Sequence, residues 1–193
     1  QVAHFTLDTA LIDCPRVLRQ LNGILPHDIR IVDLMAAPLE FHAQRSAREK
    51  SYQYRITLGP ISNPFTRLYS LHVPHQLNLE ALQEAANYFV GTHDFAAFAN
   101  GNHQGAAAKN AVRTVYALDI ALKGSDLTLT FRGNGFLYKM VRNITGTLLT
   151  VARGNLDSSA IPQLLAGRDR RAAPKSAAAH GLFLMEILYN APF

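Results

Sequence analysis

The chain has 193 residues, 48% hydrophobic and 17% charged, with a net charge of +5. That balance excludes a disordered or fibrous protein and suits one large domain or two small ones with a sizeable core. No apolar run reaches the roughly 20 residues of a membrane span, and no signal peptide is expected from these residues. The single cysteine, Cys14, excludes an internal disulfide framework and fits a reducing cytosol. Fourteen of the 19 cations are arginine, which forks onto phosphate and stacks on bases better than lysine does. The charge therefore favours a polyanionic partner, nucleic acid first.

In chain order, "QVAHFTL" (1–7) alternates like a strand. The sequence begins without methionine, already inside that alternation, so it is expected to lack its natural N-terminus. Residues 14–25 predict a helix, with Pro15 in its first turn, Val17, Leu18 and Leu21 as the apolar stripe, and Asn22-Gly23 weakening its end. Residues 28–37 alternate and predict a strand. A further strand starts at Ser51, with Tyr52, Tyr54 and Ile56 on one side. Residues 61–78 read as loop with a short strand. Asn78 caps a helix over 79–91, with Glu80 and Glu84 early and Gly91 as its stop.

Residues 92–110 read as loop. Two alternating runs over 111–133, joined at Lys123-Gly124-Ser125-Asp126, predict a hairpin. Helices over 136–152 and 158–167 follow, the second carrying Pro162, then an Arg- and Ala-rich loop (168–181) and a buried strand (182–190). The class is α+β: a largely antiparallel mixed sheet with helices packed on one face. A joint near residue 38 divides the remainder of an N-terminal α+β half (1–38) from a C-terminal α+β half (39–193) carrying most of a cleft.

Most familiar chemistries find no support. The eight histidines are scattered; His72 and His75 flank Val73-Pro74 without an acidic companion, so no metal site is expected. No phosphate-binding glycine loop is present. Cys14 reads as a buried spectator in its helix, and Asp94 in "GTHDF" as a turn carboxylate. What remains is an aromatic and cationic set. Tyr52 and Tyr54 share a strand face, with Arg48, Lys50 and Arg55 around them. Tyr138 and Arg142 share one side of the helix over 136–152, and Lys139 stands beside them.

In that helix Leu137, Met140, Val141, Ile144 and Leu148 form the buried stripe. At about 100° per residue Arg142 falls almost opposite, with Gly146 one turn further along. Aromatic rings offer a π face to an unstacked base, and cations neutralise its phosphates. Taken singly, Arg142 reads first as a solvated charge, and the two tyrosines first as sheet core.

Four stretches in register narrow this: "FHAQRSAREKSYQYRI" (41–56), "GTHDFAAF" (91–98), "FRGNGFLYKMVRNITGTLL" (131–149) and "GLFLMEILY" (181–189). Together they resemble the TruA family of tRNA pseudouridine synthases across essentially the whole chain. The resemblance implies that family's fold and an isomerase without metal or organic cofactor, acting in the cytoplasm as a homodimer on uridines 38–40 of the tRNA anticodon stem-loop. A loop aspartate attacks the flipped-out nucleotide. The bond from ribose to N1 breaks, the uracil turns, and C5 replaces N1.

By match to the family's motifs, Arg142 pairs with that aspartate. Tyr52 packs on the uracil, and its hydroxyl can act as base or relay in removing the C5 proton. Leu182 closes the other side of the pocket; Tyr138, from the aromatic and cationic set, is expected on the substrate. Arg48, Lys50, Arg55 and Lys139 are expected on RNA. Gln44 stands where the family usually has arginine. The family's nucleophile lies in an "RTDxGVH" motif just before the "QV.HF" strand, and nothing of that motif is present. The expectation is therefore an enzyme fold without its nucleophile, inactive alone; the alternative is a non-catalytic tRNA-binding module derived from that fold.

Overall fold

A computed structural model describes residues 1–7, 13–100 and 110–190. Two compact units emerge, Val2–Ser46 and Ala47–Tyr189. The second contains a six-stranded sheet: β1 (Ala47–Leu58), β2 (Leu71–Val73), β3 (Gly91–Asp94), β4 (Val112–Lys123), β5 (Asp126–Gly133) and β6 (Leu182–Tyr189). The order is β2-β1-β5-β4-β3, with β6 also on β1. Among the described residues only β1–β2 is parallel, and the other four pairings are antiparallel. Because β5 runs along one edge of β1 from Lys50 to Thr57, β6 and β2 share the other edge in series.

The hairpin is the expected one, turning where Lys123 pairs with Asp126, with Gly124 in the left-handed region at φ +60°. Along β5, Leu127, Leu129 and Phe131 point into the core while Thr128, Thr130 and Arg132 do not, the period-2 alternation of a one-sided sheet. On β1, Tyr54 and Ile56 join that face. Two helices, α2 (Leu79–Asn87) and α3 (Met140–Ala152), pack on each other and against it.

The Asn78 side chain accepts from Ala81 N–H and caps α2 as expected, but the helix ends at Asn87, and Gly91 begins a strand rather than closing the helix. That strand, β3, occupies part of the expected loop; residues 101–109 of the loop lie outside the described ones. The second predicted helix becomes a 3-10 turn at Ser158–Ala160 followed by α4 (Ile161–Gly167), with Pro162 in its first turn, where no backbone donor is missed.

Two differences bear on the site. Helix α3 starts at Met140 instead of 136, because Lys139 adopts a left-handed backbone (φ 60°). Tyr138 and Lys139 therefore sit in a turn before the helix and do not share a helical side with Arg142. Nor does α3 keep a solvated side: of its thirteen residues only Arg142 and Thr150 escape full burial. Its threonines satisfy themselves locally, with Thr145, Thr147 and Thr150 donating to the carbonyls of Val141, Asn143 and Gly146. Strand β6 is half-buried rather than buried, since only β1 pairs with it among the described residues.

In the unit Val2–Ser46, α1 (Cys14–Ile24) forms as predicted, capped by the Asp13 carboxylate. None of its residues is fully buried, and Cys14 is partly exposed instead of a buried spectator. The expected strands over 1–7 and 28–37 do not form. Alternation supplies a face but no ladder partner, and a strand needs both. Ile31 spends both backbone groups on the Asn22 side chain, each at 2.8 Å. Among the described residues, no helix is long and apolar enough to cross a membrane.

Candidate active site

The side of α3 that holds Arg142 is covered by residues 173–178, and Gly146 admits them. A Cβ there would come within 2.0 Å of the Lys175 carbonyl oxygen. Across this contact Ala177 N–H donates to the Arg142 carbonyl (2.9 Å), while the Arg142 side chain donates from Nε to the Ala177 carbonyl (2.8 Å). The helix and the segment thus hold each other at one residue. Both Nη nitrogens of Arg142 make no hydrogen bond among the described residues. Its guanidinium is anchored at one corner, leaving the planar fork that suits a carboxylate.

The next carbonyl, that of Ala178, accepts from the Tyr54 hydroxyl (2.7 Å). Tyr54 and Arg142 therefore grip consecutive peptide groups of one strap. Tyr54 is fully buried; burial pushes its phenol up to about 12, with the nearby Arg142 charge pulling weakly the other way. Gly181 makes room for that ring, since a Cβ would lie 2.9 Å from it and 2.8 Å from the Arg55 carbonyl oxygen. Leu182 pairs with Tyr54 across the β1–β6 ladder, which puts both side chains on one face.

Tyr52 lies two residues earlier on that face, opposite Phe131 of β5. It is half-buried, and the Phe136 ring meets it edge-on at 5.2 Å and 80°, a favourable aromatic geometry. Burial raises its phenol above the ordinary value. Tyr52, Arg142 and Leu182 are thus drawn around Tyr54, which is the sealed member of the tyrosine pair.

The predicted cations do not all surround the pair. Lys50 shares the Tyr52 face by alternation and is half-buried. Arg55 points to the opposite face, where its guanidinium stacks on Phe183 at 4.3 Å and Nε donates to Gln53. Arg48 is exposed near the start of β1. Tyr138 is 49% exposed, with the Lys139 ammonium 5.3 Å from its ring centre. Asp94 caps Ala96 N–H as expected and also pairs with Arg168 at 3.0 Å.

Sequence reading passed over Asn143, a fully buried polar side chain next to Arg142. Its Nδ2 donates to the Phe98 carbonyl and to Asn100 Oδ1. Its Oδ1 accepts from Arg170 Nη2 and Ser176 Oγ. The available signal was an asparagine within a largely apolar helical run, between Val141 and Ile144 of the buried stripe, which must find partners for four hydrogen-bonding sites.

A family model described as tRNA pseudouridine synthase matches residues 85–190. The tRNA pseudouridine synthase A 1 of Protochlamydia amoebophila (strain UWE25) is 47% identical over 190 residues, covering 98% of this chain and 74% of that protein. The tRNA pseudouridine synthase A of Chlamydia muridarum is 42% identical over 195 residues, covering 100% of this chain and 72% of that protein. That of Bacillus pumilus is 41% identical over 191 residues, covering 98% and 75%. Fold and matches agree on a pseudouridine synthase domain. The chain belongs to the TruA family of tRNA pseudouridine synthases.

Proposed function

We propose that the protein isomerises uridines 38–40 of the tRNA anticodon stem-loop to pseudouridine, in the cytoplasm and as a homodimer, with Arg142 holding the attacking aspartate ionised. The observation that carries this is the Arg142 guanidinium, fixed at Nε by the Ala177 carbonyl and unpaired at both Nη nitrogens among the described residues. A carboxylate meeting a polyanion is pushed toward its protonated, non-nucleophilic form. A guanidinium within about 4–6 Å opposes that by favouring the charge. Because the target base must leave its stack to be reached, the cleft also needs walls. Tyr52 supplies one and Leu182 the other, with Tyr138 at the rim.

The raised Tyr52 phenol supports a neutral hydroxyl at physiological pH. It would then serve as stacking platform and relay, donating or passing a proton, and not as a standing phenolate base. Lys50, Arg48, Arg55 and Lys139 are proposed phosphate contacts. The nucleophile itself is proposed to come from outside these 193 residues, because Arg-Thr-Asp occurs nowhere in them. The same fact favours a second reading, tRNA binding without catalysis.

Pseudouridine formation on a tRNA transcript tests both readings. The full-length protein is expected to convert these uridines, and the 193-residue chain to bind the tRNA without converting it. Arg142→Ala in the full-length protein is expected to abolish conversion while melting stays within about 1 kcal/mol of the parent. Normal turnover in that variant removes the role from Arg142. Full-length protein that binds tRNA but leaves every uridine unchanged leaves the binding-module reading in place.

A further inference from the structure

Three arginines stand within four residues, and they behave differently. Arg168 pairs with Asp94 and Arg171 with Asp169, both with exposed guanidinium groups. Arg170 turns inward and meets no carboxylate among the described residues. It donates from Nη1 to the Ala173 carbonyl (2.9 Å) and from Nη2 to Asn143 Oδ1 (3.1 Å) and Ser176 Oγ (3.4 Å). Its Nε is buried with no hydrogen-bond partner.

For stability alone this is a poor arrangement. Drawing a cation partly out of water and orphaning one of its donors is costly, and the neutral oxygens around it compensate only in part. What the arrangement does supply is location. Arg170 ties the strap, at its first residue Ala173 and again at Ser176, to Asn143, and Asn143 is the helical neighbour of Arg142. The strap's next two carbonyls are the ones that take Arg142 Nε and the Tyr54 hydroxyl. From its other end Asn143 holds Phe98 and Asn100, so one buried amide fixes the segments on both sides of the Arg142 turn.

We propose that Arg170 and Asn143 are positioning residues that aim the Arg142 guanidinium by holding the 173–178 strap against its helix turn. The inference rests on the reading of Arg142 as the partner of the attacking carboxylate. Without that hold the Ala177 carbonyl moves, the single anchor of Arg142 is lost, and its fork swings out of line with the carboxylate it must stabilise.

The test pairs two readouts on the full-length protein carrying Arg170→Met, Arg170→Lys or Ser176→Ala, the last expected to fold even if loss of Arg170 prevents folding. One is the exchange of the Arg142 Nε–H with water, read from its side-chain NMR signal. The other is the split of kcat from KM for tRNA. In Arg170→Met, exchange should quicken at least about tenfold and kcat fall about 10²-fold with KM unchanged. Arg170→Lys and Ser176→Ala should fall between it and the parent on both measures.

Unchanged Arg142 exchange in the folded variants overturns the proposal, whatever the activity. A loss confined to KM also overturns it, and places Arg170 on the RNA. Faster exchange with unchanged kcat overturns positioning for catalysis. In that case Arg142→Ala separates the causes: if it too turns over normally, the reading of Arg142 has failed, and if it is dead, only the link from Arg170 has.

Discussion

Helices α1 and α3 both open on sequence that reads as amphipathic, with an arginine on the polar side, yet one ends with no buried residue and the other with eleven. Periodicity states which residues could face a core, and it is silent on what will cover the rest. For α3 the cover is the strap 173–178, more than twenty residues downstream and without periodicity of its own. Its arrival turns Arg142 from a solvated charge into an anchored one. For α1 no such cover exists among the described residues, and the apolar residues of its stripe stay partly exposed.

The sharpest way to break this contrast is Gly146→Ala. One methyl group would sit 2.0 Å from the Lys175 carbonyl oxygen, in a strap that Arg142 holds two residues further on at Ala177. The expected loss is about 3 kcal/mol in denaturant unfolding; a loss under about 1 kcal/mol would mean that the strap is not seated on α3.

Next is Tyr54→Phe, expected to cost about 1 kcal/mol at pH 7 by orphaning the Ala178 carbonyl. The pH profile is more telling. With the folded phenol near 12 against 10.0 in the unfolded chain, the folded state holds its proton longer. Stability from this group is full below pH 10, falls as pH rises from there, and has dropped by about 3 kcal/mol once pH passes the folded value. Tyr54→Phe should flatten that alkaline fall; an unaltered slope would show that Tyr54 is not the sealed tyrosine.

Smaller effects refine the picture. Arg55→Ala should cost about 0.5–1 kcal/mol through its lost stacking on Phe183. If Arg55 touches phosphate, the slope of tRNA affinity against salt should also fall by about one, and an unchanged slope takes Arg55 off the RNA. Ile24→Ser on α1, at a residue 80% exposed, should shift stability by less than about 0.5 kcal/mol. A larger loss would mean that α1 is covered after all.

Legibility in the sequence followed the range of the causes. The hairpin at Lys123–Asp126 and the cap at Asn78 are decided within four residues, and both were readable. The register of the four motifs carried the family and pointed to Tyr52, Arg142 and Leu182. Alternation placed Tyr52 and Tyr54 on one face but could not say which would be sealed, because the partner of Tyr54 lies 124 residues away at Ala178. The same alternation sent Arg55 to the far face, against the cation cluster expected around the tyrosines. For Asn143 the sequence showed only that partners were needed, and for Arg170 not even that, because each is defined by partners from two other segments. At 28–37 the pattern suggested a strand, and one side-chain amide, Asn22, took the backbone groups a ladder would have used.

The pairing of β6 with β1 also has a consequence in time. Tyr52 and Tyr54 leave the ribosome about 130 residues before their neighbours on β6 do, and the carbonyls that anchor Tyr54 and Arg142 emerge only just ahead of that strand. Contacts of such long range are slow to form, because the intervening chain must first be confined. The β4–β5 hairpin and its helices can gather while synthesis proceeds. The candidate site cannot be completed until its last strand is in place, so a nascent chain halted before Leu182 would carry the arginine and both tyrosines without it.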